Sequence, residues 1–130
     1  MIDLGLGGKR LRSVLIEHSV LLQLSEGHFV LIASPFTLVR EGMLVAFSPE
    51  EDPDEAFGPI RQLIRRAVVE ATADESGLLR ICFGDGTALQ VPSDDAYEAW
   101  NVSGPGGALV VCMPGGELAV WNKDTSGLNS

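Results

Sequence analysis

The chain has 130 residues, of which 45% are hydrophobic and 21% charged, with a mean hydropathy of +0.20. That is one domain's worth of sequence with enough apolar surface for a single core, which excludes a disordered chain. Eighteen acidic against nine basic residues give a net charge of −9 and a pI near 4.5, which argues against a nucleic-acid partner because phosphate binding needs a basic surface.

Residues 11–33 predict three strands. Leu11, Val14 and Ile16 lead into a turn at Glu17-His18-Ser19, Val20 to Leu24 follows, Glu26-Gly27 turns tightly, and Phe29 to Ala33 runs to a stop at Ser34-Pro35. Phe36 to Phe47, split by Glu41-Gly42, predicts a strand or an extended edge. Residues 48–66 predict the principal helix. Ser48-Pro49-Glu50-Glu51 and Asp52-Pro53-Asp54-Glu55 both read as helix starts, and Ile60, Leu63, Ile64 and Ala67 share one face. Gly58-Pro59 implies either a kink or a new helix beginning at Pro59.

Residues 67–91 predict a second three-stranded unit, with turns at Asp74-Glu75-Ser76-Gly77 and Asp85-Gly86. Shifting the first unit by 59 residues lays Leu22 on Ile81, Leu24 on Phe83, Glu26-Gly27 on Asp85-Gly86, Val30 on Leu89 and Ile32 on Val91. Ser93 to Trp100 reads as a short helical turn with Asp95 as cap, Glu98 as its partner, and Tyr97 and Trp100 on one face. Ala108 to Trp121 predicts a terminal hairpin around Pro114-Gly115-Gly116. Residues 122–130 form a polar tail outside a single globular domain, 1–121.

The expected fold is therefore α+β. It is a mainly antiparallel, curved sheet of about seven or eight strands with one principal helix, built from two pseudo-repeated three-stranded units. Its expected core is Val14, Ile16, Leu22, Leu24, Val30, Ile32, Ile60, Leu63, Ile64, Ile81, Phe83, Leu89, Val91, Val110, Cys112, Val120 and Trp121.

Chemical motifs are sparse. Gly5-Leu6-Gly7-Gly8-Lys9-Arg10 has the spacing of neither phosphate-loop pattern. His18 and His28 lie at hairpin turns without a nucleophile placed beside them, and no G-x-S-x-G elbow occurs. Cys82 and Cys112 sit in strand-like segments and read as reduced core thiols; two cysteines and two histidines without metal-ligand spacing give no metal site. Asp85, Asp94, Asp95 and Glu98 have a carboxylate density suited to acid–base chemistry, and a hydrolase or metal site would draw on Asp85, Asp95, Glu98 and His28; yet each carboxylate also has a turn or cap to build. The expectation is no catalytic site, no cofactor and no enzyme.

Charge is uneven: residues 1–66 hold nine acids and seven bases, residues 67–130 nine acids and two bases. The acidic half reads as a solvated face or as a surface for a basic protein. Asp85, Asp94, Asp95, Tyr97, Glu98 and Trp100 are the candidate binding residues, an aromatic group beside carboxylates. The N-terminus lacks a basic region before an apolar run, and no stretch reaches the ~18 apolar residues of a span, so a cytoplasmic protein with no membrane contact is expected.

Several segments carry a family resemblance: Asp3-Leu4-Gly5-Leu6, Ser34-Pro35-Phe36-Thr37-Leu38, Asp85-Gly86-Thr87-Ala88-Leu89-Gln90-Val91-Pro92, Tyr97-Glu98-Ala99-Trp100, and Pro114-Gly115-Gly116-Glu117-Leu118-Ala119-Val120-Trp121. With them the chain resembles a family of small actinobacterial proteins of unknown function. The resemblance implies a stand-alone cytoplasmic domain and, by analogy of size and acidity, an immunity-type protein; it assigns no functional residue. The expected function is a non-enzymatic protein-binding module, able to form a homodimer through open sheet edges. The alternative is a small-ligand or regulatory domain, with a pocket between sheet and helix rimmed by the 103–107 and 114–116 loops.

Overall fold

The computed structural model describes residues 1–121; the tail expected at 122–130 lies outside the described residues. The strands are β1 (Ile2–Asp3), β2 (Leu11–Ile16), β3 (Val20–Leu24), β4 (His28–Ile32), β5 (Phe36–Arg40), β6 (Met43–Phe47), β7 (Val68–Ala73), β8 (Leu79–Phe83), β9 (Ala88–Val91), β10 (Trp100–Ser103), β11 (Leu109–Cys112) and β12 (Leu118–Trp121). One helical turn, α1 (Gly58–Arg61), separates the halves.

These strands form two six-stranded antiparallel sheets, ordered β1-β7-β8-β9-β5-β6 and β12-β11-β10-β4-β3-β2, rather than the single curved sheet of seven or eight strands expected. The reason lies in the alternation. Val20, Leu22 and Leu24 on β3 and Leu79, Ile81 and Phe83 on β8 are buried, whereas Gln23 and Arg80 are exposed. Each meander thus has one apolar face, and two such faces bury best against each other. One contiguous core, from Leu6 to Cys112, draws on both sheets.

The 59-residue offset is present in the pairing. Leu22 faces Val30 in the register in which Ile81 faces Leu89. The first strand of each meander carries a bulge at the matching place, between Leu11 and Ser13 and between Val68 and Glu70. The arms that follow are exchanged. After β4 the chain crosses to lay β5 against β9, and after β9 it crosses back to lay β10 against β4.

The expected principal helix over 48–66 is a correction, and of the two alternatives at Gly58-Pro59 the new start is the one observed: Asp54–Phe57 is a 3-10 turn, and α1, of only four residues, starts at the Gly58-Pro59 step. Pro53 and Pro59 each remove a backbone donor, and Asp52, instead of capping a helix, takes the Ser48 N–H on its carboxylate at 2.7 Å. Arg65, at φ +83°, ends the segment. Ile60 and Leu63 are still buried, and Phe57 stacks on Phe47, which stacks on Phe36.

Eleven of the expected core residues, including Cys112, are buried; Val14, Ile16, Ile64 and Val110 pack against the core from its rim. Val120 and Trp121 are not core: they are 57% and 53% exposed, because β12 is a sheet edge. No helix among the described residues is long and apolar enough to cross a membrane.

Candidate functional site

The six residues singled out in the sequence do not converge. Asp85 sits in the turn before β9, whereas Asp94 to Glu98 follow that strand's far end, about 10 Å or more away along the hairpin. Asp94, not Asp95, organises the local turn: its Oδ1 accepts the N–H groups of Ala96 and Tyr97 at 2.8 and 3.2 Å, and its carbonyl accepts that of Gly115 at 2.9 Å. The expected helical turn is a set of bends, since the chain must straighten to enter β10. Tyr97 and Glu98 are exposed beside a shallow groove shared with His18, Ala33, Glu50 and Pro114.

Trp100 faces the opposite way. It is buried, and its indole N–H donates to the Gly77 carbonyl at 2.9 Å, so it is a structural residue. His28 lies elsewhere again, in an open groove with Ile2 to Gly5, Gly104, Pro105 and Trp121. The 104–106 loop borders that groove while Pro114 borders the Tyr97 groove, so the two loops expected as one rim are on different parts of the surface. Among the described residues, no three metal-ligating side chains gather at one place.

Two other features do assemble. The first is a basic cleft of about 450 Å3, lined by Arg10, Gln62, Ile64, Arg65, Arg66 and Asp85, with Ala67 and Gly84. Arg10 comes from the position just before β2, Arg65 and Arg66 from the turn after α1, and Asp85 from the β8–β9 turn. Arg10 Nη1 donates to the Arg65 carbonyl at 2.9 Å, and the Arg65 N–H donates to the Leu11 carbonyl at 2.7 Å, pinning Arg65 in its left-handed conformation. Arg40 reaches in from β5, with Nε on Thr87 Oγ1 at 3.3 Å.

Asp85 is the one carboxylate there. Arg66 Nε stands 3.4 Å and Arg40 Nη2 4.0 Å from its Oδ2. Burial pushes its pKa up, but the Thr87 N–H and hydroxyl, with the charges of Arg66 and Arg40, outweigh burial and hold it below the usual aspartate value. Sequence reading missed this cluster because its arginines come from three separated segments. The signal was the seven bases in the first 66 residues.

The second feature is the outer edge of β6. Met43, Leu44 and Val45 are 69%, 67% and 41% exposed, Ala46 is exposed, and the strand carries no charge. Among the described residues only β5 pairs with it, so its other edge offers backbone donors and acceptors that no described strand takes. Glu50, Glu51, Asp54 and Glu55, all exposed, follow directly.

Compared with known proteins, residues 2–122 match the model of a family described as a family of unknown function (DUF6188). No curated protein and no solved structure matches the chain.

Proposed function

The chain belongs to that family of unknown function, and from this starting point we propose that it is a non-catalytic protein-binding module that takes an extended segment of a partner protein onto the free edge of β6. The carrying observation is the uncharged, exposed run Met43-Leu44-Val45-Ala46 on an edge strand. Edges of this kind are normally blunted by Lys, Pro or a covering element; this strand has neither residue, and no described strand pairs with its outer edge. Strand addition supplies affinity through main-chain hydrogen bonds and selectivity through alternate side chains.

The occupant is a partner strand with alternating apolar residues and a basic flank. The acidic segment that begins at Glu50 supplies the complementary charge, which raises association rates and repels acidic competitors. A cytoplasmic immunity-type inhibitor of a basic protein is one form such a module takes, as the likeness to small actinobacterial proteins suggested.

The test is a titration with a blocked synthetic peptide of alternating Val and Thr ending in three Lys, followed by amide NMR and light scattering. Saturable shifts confined to β5–β6 and residues 48–55, lost in Leu44→Lys, support the proposal. Absence of binding, or equal binding by Leu44→Lys, overturns it. So does a light-scattering mass showing that a second copy of the chain already covers β6.

A further inference from the structure

We propose that the arginine cleft beside Asp85 is a second, independent binding site that takes a small molecule bearing a phosphate-type dianion. Three arginines line the cleft and a fourth enters from β5, against one carboxylate, in a chain whose net charge is −9. Like charges gathered in one cleft repel one another, and a bound anion relieves that repulsion.

The hydrogen bonding points the same way. Arg66 approaches Asp85 only at 3.4 Å, well beyond the ~2.8 Å of a charge-assisted hydrogen bond, so its donors are left largely unspent among the described residues, while Arg40 stands 4.0 Å from Asp85 with Nε on Thr87 Oγ1 at 3.3 Å and Nη1 on Gln62 Oε1 at 3.4 Å. Lys9 and Arg66 each precede a residue of the Arg10–Ala67 bridge, and Glu26 lies 59 residues before Asp85, so Lys9–Glu26 is the counterpart of Arg66–Asp85, and that matching pair closes to 2.6 Å. Looseness is therefore a property of the Asp85 side. Arg65 adds backbone strain: φ +83° is unfavourable for a residue with a Cβ, and here it lies outside any two-strand hairpin. Strain of that kind is retained where it aims a side chain.

Size and charge choose the ligand class. A cleft of about 450 Å3 admits a sugar phosphate or a mononucleotide. The positive field is local, fading over ~10 Å into an acidic surface, so an extended polyanion meets repulsion beyond the cleft whereas a single dianion does not. The fork of each guanidinium matches paired phosphate oxygens, with Ile64 and Ala67 as an apolar wall.

The probe is inorganic pyrophosphate, titrated into the full chain at low and high salt and followed by amide NMR and calorimetry. Saturable binding is expected, with shifts at Arg10, 62–67 and 84–86 and weakening at high salt. Arg65→Gly, which removes the charge and relaxes the backbone, should weaken binding by about tenfold, and Asp85→Asn, which keeps the turn hydrogen bond but removes the competing charge, should tighten it several-fold. Binding by an Arg12→Ala control should be unchanged. No saturable binding, shifts scattered over the surface, or substitutions at Arg65 and Asp85 that leave affinity unaltered would each overturn the inference. Because β6 lies outside the cleft, Leu44→Lys leaves this readout intact whichever way the peptide titration falls.

Discussion

Arg10 and Ala67 face each other in an isolated antiparallel bridge. They hold matching places at the mouths of the two meanders: the Arg10 carbonyl accepts the Ser25 N–H, and the Ala67 carbonyl accepts the Gly84 N–H. Around this bridge Val68 and Gly8 donate to Lys9 and Val68, each at 2.8 Å, and Leu11 donates to Arg66 at 3.0 Å. The two halves are thus stitched at their starts and exchange arms at their ends.

Neither half is complete alone. Without β10, strand β4 is an open edge, and without β9, the β5–β6 hairpin has no sheet. A chain cut between residues 48 and 53 should therefore give two halves with collapsed amide dispersion, which regain the native spectrum when mixed. A half that folds alone would show that the exchanged arms do not hold the sheets together.

Among the described glycines, Gly77 and Gly116 leave the least room for a side chain. A Cβ on Gly77 would lie 2.7 Å from the Gly116 Cα, and one on Gly116 would collide with the Ser76 carbonyl. Both have positive φ, +87° and +102°. Gly116→Ala should cost about 2–4 kcal/mol in urea unfolding, from backbone strain plus the clash. Trp100→Phe should cost about 1–3 kcal/mol, since a buried indole N–H no longer serves the Gly77 carbonyl. A change below experimental error for either would remove this contact from the account of stability.

Much of the fold was legible in the sequence, and for definite reasons. Turn chemistry at Glu26-Gly27 and Asp85-Gly86, with two-residue alternation around Leu22 and Ile81, marked the meanders and their offset, because strand pairing is local there. Which sheet an arm joins is not local. Nothing in Phe36 to Phe47 says that it crosses to β9, so two sheets were read as one. The helix was over-read because the Asp52 carboxylate, a cap group by type, is spent on the Ser48 backbone N–H, and the Ser48 carbonyl takes the Asp52 N–H in return. The site was least legible. Asp94 builds a turn, Trp100 anchors the core, and the two arginines that meet at Asp85 come from β5 and from the turn after α1.

Asp85 gives the fold an acid sensitivity of predictable sign. Its pKa is lower folded than unfolded, so its ionised form stabilises the native state above about pH 4, and that contribution is lost as pH falls through the folded value. Wild type should thus lose stability below pH 4 more steeply than Asp85→Asn, measured as urea midpoints between pH 2 and pH 6. At pH 7 the variant should be the weaker of the two. Parallel curves would show that Arg66 and Arg40 are too distant to matter.

The two cysteines should react in a fixed order. Cys112 is fully buried, and burial raises its thiol pKa, the backbone hydrogen bond at Ala99 offsetting this only in part, so it stays protonated near neutral pH. Cys82 is half-buried on β8, with the Arg80 guanidinium at 2.8 Å from its sulfur. A thiol reagent should modify Cys82 first, in native protein, and reach Cys112 only at the rate of unfolding or local opening of β11. Mass spectrometry of a time course, compared with Cys82→Ser, reads both rates. Fast labelling of Cys112 in that variant would mean that the Gly77–Gly116 contact opens readily, and the closely packed end of the core would then be its weakest part rather than its strongest.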